Sequence, residues 1–424
     1  MKLLILTTYY PPEKNAASVR IHQIAKRFSS KEDIRHIKVV VFNPLANEYK
    51  KDMEEKKVEV LRHKRKIIPA SIFLPQSLNP LTFIVWICIA LKEIIRYNPD
   101  VVLTSTPPFA PVISSSIVSR IFNKPYVIDY RDDMTSIIDS IAKTKRVYVR
   151  YPLELANKLV STFLNYALKN ASLICTVNEV LQKKLLKVNR NVIVVPNGID
   201  TQELDEVKKN FDKKEVLKKN KIPYSENCRI IVYVGDLDMP YYIPETLLKP
   251  LEELLKNGYD LKYIIVGDGK RRKLIEMMIK KMGLENNVFL VGKKEHHEVL
   301  ELLLAGDFAF YSLQKDDPQA KHAIGVKVYE YLSCKLPILA IADANSAVSN
   351  LIEKYGVGVF VSWEKVGELK DALIDLIENS KKYKDNLETH YKYFIEKFDR
   401  SKGIDLLYNA INNIKNPKIQ YSFR

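Results

Sequence analysis

Short runs of Val, Ile, Leu and Tyr alternate from end to end with segments whose apolar positions recur every three or four residues. The runs predict strands and the spaced segments predict helices. LLILTTYY (3–10) leads into a helical pattern through Ile21, Ile24, Ala25 and Phe28, then IKVVVF (37–42) and VEVLR. A helix over 81–96 follows, and DVVLTST (100–106) and YVIDYRD (126–132) flank another. ASLICTV (171–177), a helix and NVIVVPNGID (191–200) close the first half.

The second half repeats this grammar. Strands are predicted at RIIVYVGDLD (229–238), LKYIIVGDG (261–269), NVFLVG (287–292), DFAFYS (307–312), PILAI and VGVFV (357–361). Helices are predicted between them at 245–257, 271–282, 296–304 and around 326–334. Continuous Val/Ile runs joined by helices imply parallel sheets covered on both faces, because parallel strands need crossover connections. Two doubly wound halves result, with the lysine-rich stretch 201–222 as the expected linker. The expected division is 1–205, 206–385 and a helical tail, 386–424, that crosses back to the first domain. In such sheets ligands bind beyond the carboxyl ends of the strands, so the cleft between two facing sheets is the expected site.

A chain of 424 residues is too long for one ordinary core, and 46% hydrophobic content spread along it excludes wholesale disorder. Four scattered cysteines (Cys88, Cys175, Cys228, Cys334) lack metal-ligand spacing and read as reduced and structural. MKLLILTTYYPP reads as a first strand rather than a secretory signal. The longest apolar run, LTFIVWICIAL (81–91), falls short of the twenty or so residues needed to span a bilayer.

Net charge is +16, and it is unevenly placed. Residues 1–200 hold 31 Lys/Arg against 17 Asp/Glu, which leaves 36 against 34 for the remainder. The first half therefore carries nearly all of the surplus, which suits an anionic partner there.

KHAIGVKVYEYLSCKLPILA (321–340) holds the candidate chemistry. Gly325 allows close backbone approach, and the N–H groups near Val326 and Lys327 at a helix start form an anion site. Lys327 and Glu330 share a helix face. A phosphate would meet the lysine, and vicinal hydroxyls the glutamate. The competing reading is an exposed ion pair on a solvated helix.

GVKVYEYLSCKLPILA resembles the donor-binding segment of the glycogen-synthase-like, retaining glycosyltransferases with the GT-B fold (glycosyl transferases group 1). TTYYPPEKNAASVRIHQIAKRF, KPYVIDYRDDMT, ASLICTVNEVLQKKL, VVPNGID, VYVGDLD, IIVGDGKRRKLIEMM and VFLVGKKEHHEVLELLLAGDFAFYS resemble other family segments, in family order. The resemblance implies two Rossmann-like α/β domains, an acceptor held by the first and a nucleotide sugar held by the second. It implies that Glu330 binds the ribose and that Lys327 with Gly325 and Val326 meets the diphosphate. Gly267-Asp268 and Lys293 would flank the base, with Gly235 and His322 also on the donor side. Arg131 and Asp132 fall at the family's sugar-side polar pair, Asn15 near the phosphate-facing first loop, and Arg20 on the acceptor side. No metal or other cofactor is expected.

The chain also departs from the pattern. His322 stands where the family often has its first carboxylate, and Asp236-Leu237-Asp238 follows Gly235 where an Arg and a Lys are usual. Asp-x-Asp is a metal motif in other glycosyltransferases, but it belongs to a different architecture and reads here as a coincidence. His296-His297 reads as a helix start, and VGDGKRR lacks the spacing of a phosphate-binding loop.

The expected enzyme moves a hexosyl or related group from a nucleotide sugar to a glycan or polyprenyl-linked acceptor with retention of configuration. LRHKRK (61–66) before the apolar tract suits a cytoplasmic protein docked on an anionic membrane surface. A catalytically inactive relative and a nucleic-acid-binding protein are the alternatives. The latter lacks the Arg clusters and interleaved aromatics usual for such binding, so no nucleic-acid partner is expected.

Overall fold

The computed structural model describes residues 1–13, 15–43, 57–63, 78–143, 145–238, 243–313 and 324–415. The chain divides into two compact units, residues 1–197 with 401 onward, and Gly198–Arg400.

In the first unit the order is β1 (Lys2–Thr7), α1 (Ala16–Ser29), β2 (His36–Val41), β3 (Val58–Arg62), α2 (Pro80–Tyr97), β4 (Val101–Thr106), α3 (Phe109–Ile121) and β5 (Tyr126–Tyr130). Then come α4 (Met134–Lys143), α5 (Val147–Asn170), β6 (Leu173–Thr176), α6 (Glu179–Leu185) and β7 (Val192–Val194). The strands form one parallel sheet in the order β3-β2-β1-β4-β5-β6-β7. Central β1 sets Ile5 beside Val39 and Leu103. Leu3 through Leu6 are fully buried, and each such side chain contributes about 1.5–3 kcal/mol. Trp86, Ile94, Leu153 and Leu164 from α2 and α5 fill the core on one face, and Ile21, Ile24 and Phe28 from α1 pack on the other.

The second unit runs α7 (Thr201–Lys209), α8 (Lys213–Lys219), β8 (Arg229–Val234), α9 (Leu248–Lys256), β9 (Leu261–Val266), α10 (Arg272–Lys281), β10 (Val288–Gly292) and α11 (His296–Ala305). It continues with β11 (Phe308–Ser312), α12 (Val326–Ser333), β12 (Ile338–Ile341), α13 (Ala347–Tyr355), β13 (Gly358–Val361), α14 (Leu369–Glu378) and α15 (Ser380–Phe398). Its parallel sheet has the order β10-β9-β8-β11-β12-β13. In both sheets the chain works outward from the middle, as doubly wound parallel sheets do.

Two boundaries differ from the sequence expectation. The lysine-rich stretch 201–222 is not an open linker: α7 and α8 bury Leu204, Val216 and Leu217 in the second unit's core. Apolar positions at helical spacing lay hidden among the lysines there. The crossover starts later than 386, because α15 packs Leu387, Phe394 and Phe398 into the second unit. Among the described residues of the tail, α16 (Arg400–Lys415) is the part that enters the first unit, burying Ile404, Leu407 and Ile411. Arg27 clamps it with hydrogen bonds of 3.0 and 2.6 Å to Asp405.

The apolar tract 81–91 lies in α2, which turns Trp86, Ile89 and Ile94 inward and leaves Leu81, Ile84, Leu91 and Ile95 exposed. No helix among the described residues is long and apolar enough to cross a membrane. Of LRHKRK, only Leu61 to His63 are described; Lys64 to Lys66 lie outside.

Candidate functional site

Segments beyond the carboxyl ends of β8, β9, β10 and β11 hold the second unit's candidate residues. After β8, the Gly235 N–H donates to the Val266 carbonyl at 2.9 Å. Gly267 follows β9 at φ +149°, and a Cβ there would lie 1.8 Å from the Gly235 carbonyl oxygen. These two glycines let neighbouring loops press backbone against backbone. Asp268 steadies the same junction: its Oδ1 accepts from the Gly269 N–H at 2.8 Å and its carbonyl from the Leu237 N–H at 3.0 Å. The carboxylates of Asp236 and Asp238 accept from the Asp238 and Lys270 N–H groups, which makes them turn residues in this loop. Lys293 is exposed on the loop after β10.

Gly325 is the N-cap of α12 in extended conformation, so it meets no φ demand that other residues could not satisfy. Tyr331 ties α12 to the strand ends. Its hydroxyl accepts from the Val234 N–H at 3.1 Å and donates to the Phe310 carbonyl at 3.3 Å. On the first turn, Lys327 Nζ is shut off from solvent, 5.6 Å from the centre of the Tyr233 ring. Burial pulls its pKa down to about 7 against the attraction of Glu330 and Asp236.

Glu330 is buried, and its Oε1 lies 3.0 Å from His296 Nε2. The other imidazole nitrogen, Nδ1, lies 2.7 Å from Glu203 Oε2. With a carboxylate at each nitrogen, both must donate. Hydrogen bonding to Glu203, then to Glu330, outweighs burial and lifts the His296 pKa to about 10. Three elements, α7, α11 and α12, thus meet in one charged network. His296 begins α11 as expected, but its side chain has a task that the helix-start reading did not foresee. The signal was its place just beyond β10, on the ligand side of a parallel sheet.

In the first unit, Asn15 caps α1, its Oδ1 accepting from the Ser18 N–H at 2.8 Å. Arg20 was expected on the acceptor side, yet its guanidinium points into the fold. It donates to Asp129 at 2.9–3.1 Å and to the Pro196 carbonyl at 3.1 Å. Burial works against ionisation of Asp129, but Arg20 prevails and holds its pKa below the usual carboxylate value.

Arg131 is buried beside the same carboxylate and donates to the Pro107 carbonyl at 3.1 Å; burial lowers its pKa. Asp132 is half-buried next to it, while Asp133 is occupied by Lys184, Ser136 and Thr135. The loop after β1 brings a carboxyl that sequence reasoning passed over, Glu13. Its Oε1 accepts from Asn43 at 2.8 Å, its Oε2 is buried with no hydrogen-bond partner among the described residues, and burial raises its pKa. His322 lies outside the described residues, as do positions 239–242.

The family described as "Glycosyl transferases group 1" matches residues 212–393, and "Glycosyltransferase Family 4" matches 17–203. The chain belongs to the group 1 glycosyltransferases. Its two parallel-sheet units have the GT-B fold. One curated relative is the alpha-D-kanosaminyltransferase of Streptomyces kanamyceticus, 27% identical over 35% of this chain and 36% of that protein. The match thus spans about a third of that relative's length. An uncharacterized glycosyltransferase of Methanocaldococcus jannaschii is 24% identical over 79% of this chain and 86% of its own. Among solved structures, Anabaena HepE in complex with UDP-glucose superposes with a TM-score of 0.64, at 18% identity, covering 97% of this chain and all of that one.

Proposed function

We propose that this glycosyltransferase moves a hexosyl or related group from a nucleotide sugar to a glycan or polyprenyl-linked acceptor, with retention of anomeric configuration. One observation carries the reading: Lys327 and Glu330 stand one turn apart at the start of α12, beyond the strand ends, with Glu330 braced by His296. The HepE complex with UDP-glucose supports a nucleotide-sugar donor.

Lys327 and the α12 N-terminus would stabilise the diphosphate as negative charge grows on it, and Glu330 would accept from the ribose hydroxyls. Fixed donors aimed at developing charge are worth about 3–4 kcal/mol each. Gly267-Asp268 and Lys293 would flank the base. Arg131 and Asp132 would orient the sugar or acceptor in the first unit. The departing phosphate takes the acceptor proton, so no strong side-chain base is required and no metal enters the scheme. The enzyme would act in the cytoplasm, at the inner face of the membrane when its acceptor is lipid-linked.

A thermal-shift panel of nucleoside diphosphates and nucleotide sugars, run on the parent and on Glu330→Ala, tests this. A ligand that binds only the native state stabilises by about 2.7 kcal/mol at a hundredfold excess over its Kd. One nucleotide class should shift the parent and not the variant. A flat panel for the folded parent would end the reading.

A further inference from the structure

The 24-residue helix α5 has two apolar faces. Leu153, Val160, Leu164 and Leu168 pack into the core, as an amphipathic helix requires. On the opposite side Tyr148, Tyr151, Leu155, Leu159, Phe163 and Tyr166 form a second stripe at three- and four-residue spacing, each 49–66% exposed. The stripe is about 27 Å long at 1.5 Å per residue. It has company: α2 and α5 both pack against α3, and α2 exposes a stripe of its own through Leu81, Ile84, Leu91 and Ile95. An exposed apolar surface of this extent marks an interaction site.

The charges around it select the partner. Between residues 143 and 170 six cations (Lys143, Lys145, Arg146, Arg150, Lys158, Lys169) accompany a single acid, Glu154, which pairs with Arg150 at 2.7 Å. Exposed Arg120 lies over the Tyr166 ring, 5.4 Å from its centre. A second copy docked about a twofold axis would set this cationic rim against itself, which like-charge repulsion disfavours. An anionic lipid surface satisfies both features, because it accepts apolar side chains and draws cations to its headgroups.

We infer that the α2–α5 face docks the enzyme on an anionic bilayer, with α5 lying in the plane of the interface. This names the surface behind the membrane placement proposed above and does not depend on how the donor is held.

The test is flotation of the full-length protein with phosphatidylcholine vesicles, with and without phosphatidylglycerol. The parent should float with the anionic vesicles, and the bound fraction should fall as salt is raised. Leu155→Glu/Leu159→Glu should weaken binding on the order of a hundredfold, since two apolar contacts are lost and two repelled charges gained. Both side chains are largely exposed, so the variant should keep the parent's melting temperature and nucleotide response. Should it fail to fold, Lys158→Glu/Lys169→Glu serves, with at least about tenfold weaker binding expected. Absence of flotation on anionic vesicles at low salt would overturn the proposal. So would unchanged binding by the folded variants, or a parent dimer that either variant dissociates without any vesicle binding. The nucleotide panel on the same samples reports separately on the donor site.

Discussion

His296 Nε2 lies 3.0 Å from Glu330 Oε1, so a histidine on α11 braces a buried carboxylate on α12, and Glu203 on α7 holds the far side of the ring at 2.7 Å. A carboxylate held this way is already fixed in position by the fold.

His296→Ala should therefore weaken nucleoside diphosphate binding on the order of tenfold, since a charge-assisted hydrogen bond is worth about 1.5–3 kcal/mol. Titration calorimetry would show it, and His296→Gln should recover part of the loss. A variant that binds like the parent would remove His296 from the site.

The same histidine links stability to pH. Its folded pKa of about 10 stands above the usual 6.5. Its contribution is therefore complete below about 6.5 and is lost as pH rises through about 10. Lys327, lowered to about 7, acts with opposite sign across the same window. The loss should appear cleanly in urea unfolding of Lys327→Met and vanish when His296→Gln is added.

Nucleotide binding should carry a signature of Lys327 as well. Under the proposed donor role a bound diphosphate would favour the ammonium form, so above pH 7 binding should take up a proton. Affinity should fall from pH 7 towards 9 by up to about tenfold per pH unit. Lys327→Arg should flatten that profile, because a guanidinium stays charged. Calorimetry in buffers of different ionisation enthalpy would reveal the proton directly, and a parent profile flat to pH 9 would refute its uptake.

Gly267→Ala should destabilise the second unit by about 3 kcal/mol, because the added Cβ meets the Gly235 carbonyl and φ is positive. Gly258→Ala is the control: φ is +88° but nothing lies within 4 Å, so only the backbone cost of about 1 kcal/mol remains. Equal denaturation midpoints for the two would argue against the clash.

Arg20→Met should cost about 3–5 kcal/mol, since it leaves the Asp129 carboxylate buried without its main partner. Arg20→Lys should cost less, keeping the charge but losing the two-pronged contact. A loss below about 1 kcal/mol by urea unfolding would show that water reaches Asp129.

Much of this architecture was legible in the order of residues. Val/Ile runs joined by amphipathic segments read as parallel sheets because period and crossover length are local properties of the chain. The Lys327–Glu330 pair was equally visible, since helix geometry alone sets residues three apart on one face. The stretch 201–222 misled because its many lysines masked Leu204, Val216 and Leu217, whose burial depends on a sheet they do not belong to.

Residue order alone thus determined the two-sheet plan, the family and the helix start that offers a lysine and a glutamate. Tertiary structure decided which polar groups became partners: His296 with Glu330 across 34 positions, and Arg20 with Asp129 across 109. It also decided that α5 keeps a second apolar face outside the core. The reason is physical. Periodicity is written into neighbouring residues, whereas the partner of a buried charge and the neighbour of an apolar stripe depend on which distant strands and helices the sheet brings alongside.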